Sequence, residues 1–237
     1  MIVNCHCCNG KYNPIGNNSF RCIDCGHMYV NYEGDGLEYH KNEYRSKDFG
    51  TRVNNEINNG KFTQHFHNAR LDICKKRVLK IPGLIYKDYN LLDIGSGGGT
   101  FVNMVKDKFL NIDCQEISDV CIENLKDYGY KVYNGDFNSI EFDKKYDVVT
   151  CYHVLEHIKD IKGFLNQVNK VVGKYLVIEI PKCKREIPKD FKERGWDGHY
   201  HYFSENSLTK LFENSFKILK LEEGVQTPAI HVIMEKI

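Results

Sequence analysis

A chain of 237 residues, 41% hydrophobic and 12% aromatic, is long enough to bury one sizeable core and carry a small appendage. Its 33 Lys and Arg against 32 Asp and Glu leave a net charge of +1, which excludes a global field that recruits nucleic acid or an anionic membrane. No run approaches the roughly 18 apolar residues needed to span a bilayer, and the opening "MIVNCHCCNG" lacks the build of a signal peptide, so a cytoplasmic location without a membrane partner is expected.

Cys5, Cys7, Cys8, Cys22 and Cys25 all fall in the first 25 residues. Without an export signal they are expected to be reduced. Cys5-x-x-Cys8, thirteen intervening residues and Cys22-x-x-Cys25 read as two tight knuckles, each followed closely by glycine (Gly10, Gly26). Such pairs place four thiolates tetrahedrally around a structural zinc ion. Cys7, His6 and His27 lie near enough to offer alternative ligands. An Asn- and Gly-rich stretch of ~30 residues has too little apolar surface to fold unaided, so the metal supplies much of its folding energy. Cys74, Cys114, Cys121, Cys151 and Cys183 stand singly in apolar surroundings and read as small core residues.

Three regions are expected: a zinc ribbon over 1–32, a connector and helical lid over 33–87, and a large domain over 88–237. Within the connector, "HFHNARLDICKKRVLKIPG" carries Phe66, Ala69, Ile73 and Cys74 at helical spacing, with Pro82 and Gly83 as a stop. Beyond it, strands are predicted at "NLLDI", "NIDCQ", "KVYN", "YDVVTCY" and "KYLVIEI". Helices are predicted through "TFVNMVKDKF", "SDVCIENLKDYG" and "IKGFLNQVNKVV". This alternation implies a parallel α/β sheet covered on both faces, with its ligand at the carboxyl ends of the strands. A last helix over "SENSLTKLFENS" leads to "FKILKLEE" and "AIHVIMEKI", two strands expected to close the sheet as an antiparallel hairpin.

The stretch "LLDIGSGGGTFV" joins the first of these strands to the first helix through four glycines in five positions. Glycine there lets backbone approach a ligand closely. A dinucleotide fingerprint would need a third glycine where Thr100 stands. Asp93 precedes the turn, and Glu116 follows Gly95 by 21 residues at the end of the second strand, where a carboxylate can accept ribose hydroxyls.

Taken together, "LLDIGSGGGTFV", "DCQEIS", "NGDF" and "YDVVTCYHVLEHI" resemble, in order, the motifs of the class I S-adenosylmethionine-dependent methyltransferases. The resemblance covers about residues 88–237 and implies a Rossmann-like seven-stranded α/β sheet. The ribbon cysteines and "HYHYFSENSLTKLFENSFKILKLE" are similar to a branch with a small N-terminal zinc ribbon, many members of which modify sugars or small metabolites. The family pattern implies that Asp93 holds the methionine ammonium and that Gly95, Ser96 and Gly97 pass the ligand as backbone. Glu116, with Ile117 beside it, takes the ribose; Asp136 and Phe137 meet the adenine; Tyr152 and His153 line the methyl-donor end.

Methyl transfer from a sulfonium requires alignment and, for a hydroxyl acceptor, removal of its proton. Histidine suits that task, and the candidates are His153, His157, His199 and His201. "HVLEH" also resembles the E-x-x-E-H segment by which the ubiquinone-pathway O-methyltransferases bind a divalent metal, with Glu156 and His157 matching and His153 in place of the first acid. The expected partner is a small-molecule or carbohydrate acceptor, and the oligomeric state is left open. One alternative is an RNA methyltransferase, with the ribbon and the Lys- and Arg-rich "PKCKREIPKDFKERGW" holding nucleic acid. Another is a non-catalytic module that only binds the cofactor.

Overall fold

The computed structural model describes residues 4–16, 18–32, 72–77, 86–182, 198–225 and 228–237. Most of the expected connector and most of the basic segment at 183–197 lie outside the described residues; 72–77 is helical, as its spacing predicts. The chain divides into two compact units, residues 35–150 and residues 1–34 together with 151–237.

In the unit spanning 35–150, β4 (Tyr86–Ile94) pairs in parallel with β5 (Phe109–Glu116), which pairs in parallel with β6 (Lys131–Asn134). Helix α1 (Thr100–Val105) and helix α2 (Asp119–Asp127) make the two crossovers. The predicted first helix ends early, because residues 106–108 tighten into a 3-10 turn and Phe109 already belongs to β5. Leu91, Leu92 and Ile94 are fully buried, as a strand covered on both faces requires.

The other unit carries two sheets' worth of strands. After β7 (Tyr146–Tyr152), helix α3 (Ile161–Val171) buries Ile161, Phe164, Val168 and Val171, a 3-4 spacing that makes one apolar stripe. It feeds without a loop into β8 (Val172–Pro181). Helix α4 (Glu205–Phe212) starts at a capping box on Ser204 and leads to β10 (Phe216–Glu223) and β11 (Ala229–Lys236), the expected antiparallel hairpin. β11 also pairs antiparallel with β8. The seven strands follow the order β10-β11-β8-β7-β4-β5-β6.

The ribbon is a second sheet, of order β1-β2-β3-β9, built from β1 (Tyr12–Gly16), β2 (Ser19–Cys22), β3 (Met28–Val30) and β9 (His201–Tyr202). Its fourth strand comes from the far end of the sequence, through pairing of Tyr29 with His201 and Met28 with Tyr202. Cys74, Cys114, Cys121 and Cys151 are buried, as read from their surroundings; Cys183 lies outside the described residues. Among the described residues no helix is long and apolar enough to cross a membrane.

Candidate functional site

The turn after β4 places Gly95, Gly97 and Gly99 at φ of 65°, 56° and 81°. A residue with a Cβ pays roughly 1–2 kcal/mol for that conformation, which explains the glycines. The turn is pinned from β5. Gly95 N–H donates to the Gln115 side chain at 3.1 Å, and Gly97 N–H donates to Glu116 Oε2 at 2.7 Å. Glu116 is 1% exposed, and its Oε1 accepts from the backbone N–H of Ile117 at 2.9 Å and of Ser118 at 3.0 Å. The carboxylate expected to receive ribose therefore also shapes the turn, through charge-assisted bonds of the stronger kind.

Two residues absent from the sequence reading belong here. Gln115 donates to the Gly135 carbonyl at 2.7 Å while accepting from Gly95, so it joins the glycine turn to the turn that holds Asp136. Thr150 Oγ1 donates to Asp93 Oδ1 at 2.6 Å. The only local sign of either is a polar residue inside an apolar run. Asp93 is 3% exposed, and burial pushes its carboxyl up to about 7, against the opposing hydrogen bond from Thr150. Ser96 turns its hydroxyl back onto the Asp93 carbonyl at 2.8 Å. Asp136 caps the 3-10 turn at Phe137–Ser139 by accepting from Asn138 N–H at 3.3 Å, and Phe137 is buried with its ring 5.7 Å from that of Phe142.

The histidines gather in the unit that holds the ribbon. β7 runs through Tyr152 into His153, a residue with φ of 57°. Its Nδ1 lies 3.4 Å from Glu156 Oε1 and its Nε2 lies 3.3 Å from Glu179 Oε1. Both carboxylates are buried, so the His153 ring lies between two acids and in its protonated form pairs with both. Burial alone would raise Glu156, but the hydrogen bond from His153 and the charges of His157 and His153 outweigh it and hold the carboxyl below its ordinary value. Tyr152 stacks on the buried ring of His231 at 6.4 Å.

His157 is oriented by backbone. Its Nδ1 meets the Gly198 carbonyl at 2.7 Å; a carbonyl only accepts, so Nδ1 carries a proton, while Nε2 lies 3.9 Å from Glu156 Oε1. His199 meets the His157 ring edge-on at 4.6 Å. Ligand atoms of Glu156, His157 and His199 all lie within 4.8 Å of one another. His201 stands apart from this group. It is fully buried, its Nδ1 is 3.1 Å from His27 Nε2 and its Nε2 is 3.3 Å from the Lys159 carbonyl. For the expected role of His201 as a base, burial works against it by driving its pKa well below the ordinary histidine value, and both ring nitrogens have partners. It resembled His199 in sequence because both sit in an alternating "HYHYF". His199, however, precedes β9, so strand alternation does not relate the two.

In the ribbon the two knuckles repeat one geometry. Cys5 N–H donates to the Gly10 carbonyl at 2.7 Å and Asn9 N–H to the Cys5 carbonyl at 2.9 Å; Cys22 to His27 at 2.8 Å and Gly26 to Cys22 at 3.0 Å match them. The left-handed positions of this repeat are Asn9 and Gly26, so Gly10 is not the counterpart of Gly26. Gly10 instead leaves room for Asp24, whose carboxylate a Cβ would overlap. The sulfur atoms of Cys5, Cys8, Cys22 and Cys25 lie within 4.8 Å of one another, with Cys5–Cys25 and Cys8–Cys22 at 3.5 Å. A tetrahedron of Zn–S bonds near 2.3 Å needs sulfurs about 3.8 Å apart, so the donor set fits zinc. A second set, Cys5, Cys7 and His27, shares Cys5. It fits less well, because His27 already uses Nδ1 toward Tyr12 at 2.6 Å and Nε2 toward His201.

A sequence profile of the methyltransferase domain matches residues 64–217. Among curated proteins, a malonyl-[acyl-carrier protein] O-methyltransferase of Ilyobacter polytropus is 26% identical over 165 residues, 62% of this chain and 62% of its own. A ubiquinone biosynthesis O-methyltransferase of Rickettsia bellii is 30% identical over 98 residues, 38% of this chain and 41% of its own. The chain thus spans about half the length of these curated relatives. Among solved structures, magnesium protoporphyrin IX methyltransferase from Synechocystis PCC 6803 with bound SAH is similar at a TM-score of 0.59 and 15% identity, over 85% of this chain and 98% of that one, a likeness of fold. The profile match, the strand order and the glycine turn agree: the chain belongs to the methyltransferase-domain family and has the class I S-adenosylmethionine-dependent methyltransferase fold.

Proposed function

We propose that the chain transfers a methyl group from S-adenosylmethionine to a hydroxyl of a sugar or small metabolite, with His157 as the general base. The observation that supports this is the bond from His157 Nδ1 to the Gly198 carbonyl at 2.7 Å, which orients the ring beside the buried Glu156, whose Oε1 lies 3.9 Å from Nε2. Asp93 receives the cofactor ammonium, the glycine turn passes its backbone along the ligand, and Glu116 shares Oε2 between Gly97 N–H and the ribose. Thr150 holds Asp93 through its hydroxyl. Both curated relatives carry O-methyltransferase names, which supports an oxygen acceptor. The ribbon holds one structural zinc ion on Cys5, Cys8, Cys22 and Cys25.

A second reading gives Glu156, His157 and His199 a divalent cation. It is favoured by the ligand atoms of these three residues, which lie within 4.8 Å of one another around the buried Glu156 carboxylate. Such an ion would supply Lewis-acid stabilisation of an acceptor oxygen, and it would occupy the His157 lone pair, so the two roles of His157 exclude each other.

Transfer of labelled methyl from S-adenosylmethionine to fractionated cell material tests the proposal. Label in carbohydrate or small metabolites supports it. Label in nuclease-sensitive RNA replaces the acceptor class, and absence of S-adenosylhomocysteine binding to folded protein in calorimetry ends the methyltransferase reading. Transfer that requires added divalent metal selects the second reading for His157.

A further inference from the structure

β5 lies between β4 and β6 in the sheet, so its last residues stand beside the two turns that leave its neighbours. Gln115 is in register with Ile94, the last residue of β4, on one side and with Tyr133 of β6 on the other. Gly95 follows Ile94 and opens the glycine turn; Gly135 follows Asn134, where β6 ends. One side chain at this position reaches both turns. An amide of this length serves both, because it carries an acceptor and a donor on one rigid group.

The turns decide which way that amide points. Gly95 N–H only donates, so Gln115 Oε1 faces it at 3.1 Å; the Gly135 carbonyl only accepts, so Nε2 faces it at 2.7 Å. Gln115 is 3% exposed, so water hardly competes for either bond. Its own carbonyl accepts Gly95 N–H again at 2.9 Å and Ser96 N–H at 3.1 Å. The glycine turn is thus held by the backbone of β5 as well as by the side chain. Gly135 stands at φ of 127°, where glycine moves easily, so a bond from outside the turn decides where it rests. Directly after it come Asp136, which caps the next 3-10 turn, and the buried Phe137.

We infer that Gln115 is a positioning residue for the cofactor: by bonding Gly95 and Gly135 at once, it fixes the glycine turn and the Asp136 turn relative to each other, so that the two ends of S-adenosylmethionine bind as one unit. The inference rests on reading the glycine turn as the seat of the methionine end and Asp136 and Phe137 as the seat of adenine. Gln115 acts on the ligand only through the backbone of the two turns.

Two variants of the full chain separate this role from packing. Gln115→Met fills similar space and makes neither side-chain bond, while Gly95 keeps the backbone carbonyl of β5. S-adenosylhomocysteine affinity in calorimetry should fall about fivefold or more. Gln115→Glu keeps an acceptor for Gly95 but turns a carboxylate oxygen on the Gly135 carbonyl, and at about pH 8 its affinity should fall about tenfold or more. A protonated carboxyl again offers both a donor and an acceptor, so the Gln115→Glu deficit relative to wild type should shrink as pH falls to about 5. Taking the ratio to wild type at each pH cancels the titration of Asp93. Gln115→Met should show no such recovery.

Nitrogen-15 amide spectra read the coupling directly. Free adenine, which has neither ribose nor amino acid, should move the Asp136 and Phe137 signals of wild type and the Gly95 signal with them. In Gln115→Met the first two should still move and Gly95 should not. A Gln115→Met affinity within about twofold of wild type overturns the inference, as does a Gln115→Glu deficit that ignores pH. So does a Gly95 signal that ignores adenine in wild type, or follows it equally in Gln115→Met. If Gln115→Met does not fold, the pH dependence of Gln115→Glu decides the matter alone. Folded wild type that binds no S-adenosylhomocysteine sinks the cofactor reading and the coupling together, whereas cofactor binding without a Gly95 response sinks the coupling alone.

Discussion

Thr150 Oγ1 donates to Asp93 Oδ1 at 2.6 Å, so the acid that opens the glycine turn is tuned from β7. Burial raises the Asp93 carboxyl to about 7, and the Thr150 bond opposes that rise. A folded value above the unfolded one means that the folded chain keeps a proton that the unfolded chain has released between pH 3.8 and about 7. This group's contribution to stability is therefore full below that window and is lost as pH rises through it. A cofactor ammonium favours the ionised form, so binding takes the opposite sign. S-adenosylhomocysteine affinity should strengthen from about pH 6 to about pH 8, with proton release. Thr150→Val should move the midpoint upward, and Asp93→Asn should flatten the dependence; calorimetry in buffers of different ionisation enthalpy checks both.

His153 and His157 separate by readout. His157→Ala should leave cofactor affinity unchanged and lower transfer of labelled methyl by about 100- to 10,000-fold, the range for a lost general base. His153→Gln removes the imidazole between Glu156 and Glu179, and a buried carboxylate left without its partner costs about 3 kcal/mol or more. A urea midpoint for His153→Gln equal to wild type would contradict that pairing.

The ribbon's ligand set is decided by metal content. Wild type should carry about one zinc per chain, retained in Cys7→Ser and lost in Cys22→Ser. Plasma emission analysis of protein purified without chelator measures this directly. Loss in Cys7→Ser with retention in Cys22→Ser would assign the metal to Cys5, Cys7 and His27.

At Gly97 two constraints coincide: φ is 56° and the N–H is held by Glu116. Gly97→Arg puts a long side chain where the ligand is expected to pass, and S-adenosylhomocysteine affinity should fall by about 100-fold or more while the fold survives. Unchanged affinity by calorimetry would move the cofactor away from this turn.

Much of the glycine-turn half of the fold was legible because its signals are local. A strand, a glycine turn and a helix occupy consecutive residues, and the acids that flank them are fixed by the spacing of β4 and β5. Gln115 and Thr150 were not legible, since a polar residue in an apolar strand gives no hint of the turn it reaches. Asp136 was read for adenine, while its carboxylate caps the turn at Phe137–Ser139.

By itself the sequence determined the alternation of strands and helices, the closing hairpin and the pairing of cysteines, all set by periodicities and spacings that backbone geometry imposes over a few residues. Only the tertiary structure decided which histidine is buried beside His27 and which stands with His157, for "HYHYF" offers chemically identical candidates. That choice follows from β3 pairing with a strand more than 170 residues away, and no local pattern encodes a partner at that distance. The same pairing gave the ribbon its fourth strand and tied it to Glu156 and His157, because buried backbone groups must be satisfied by whatever segment folding brings beside them.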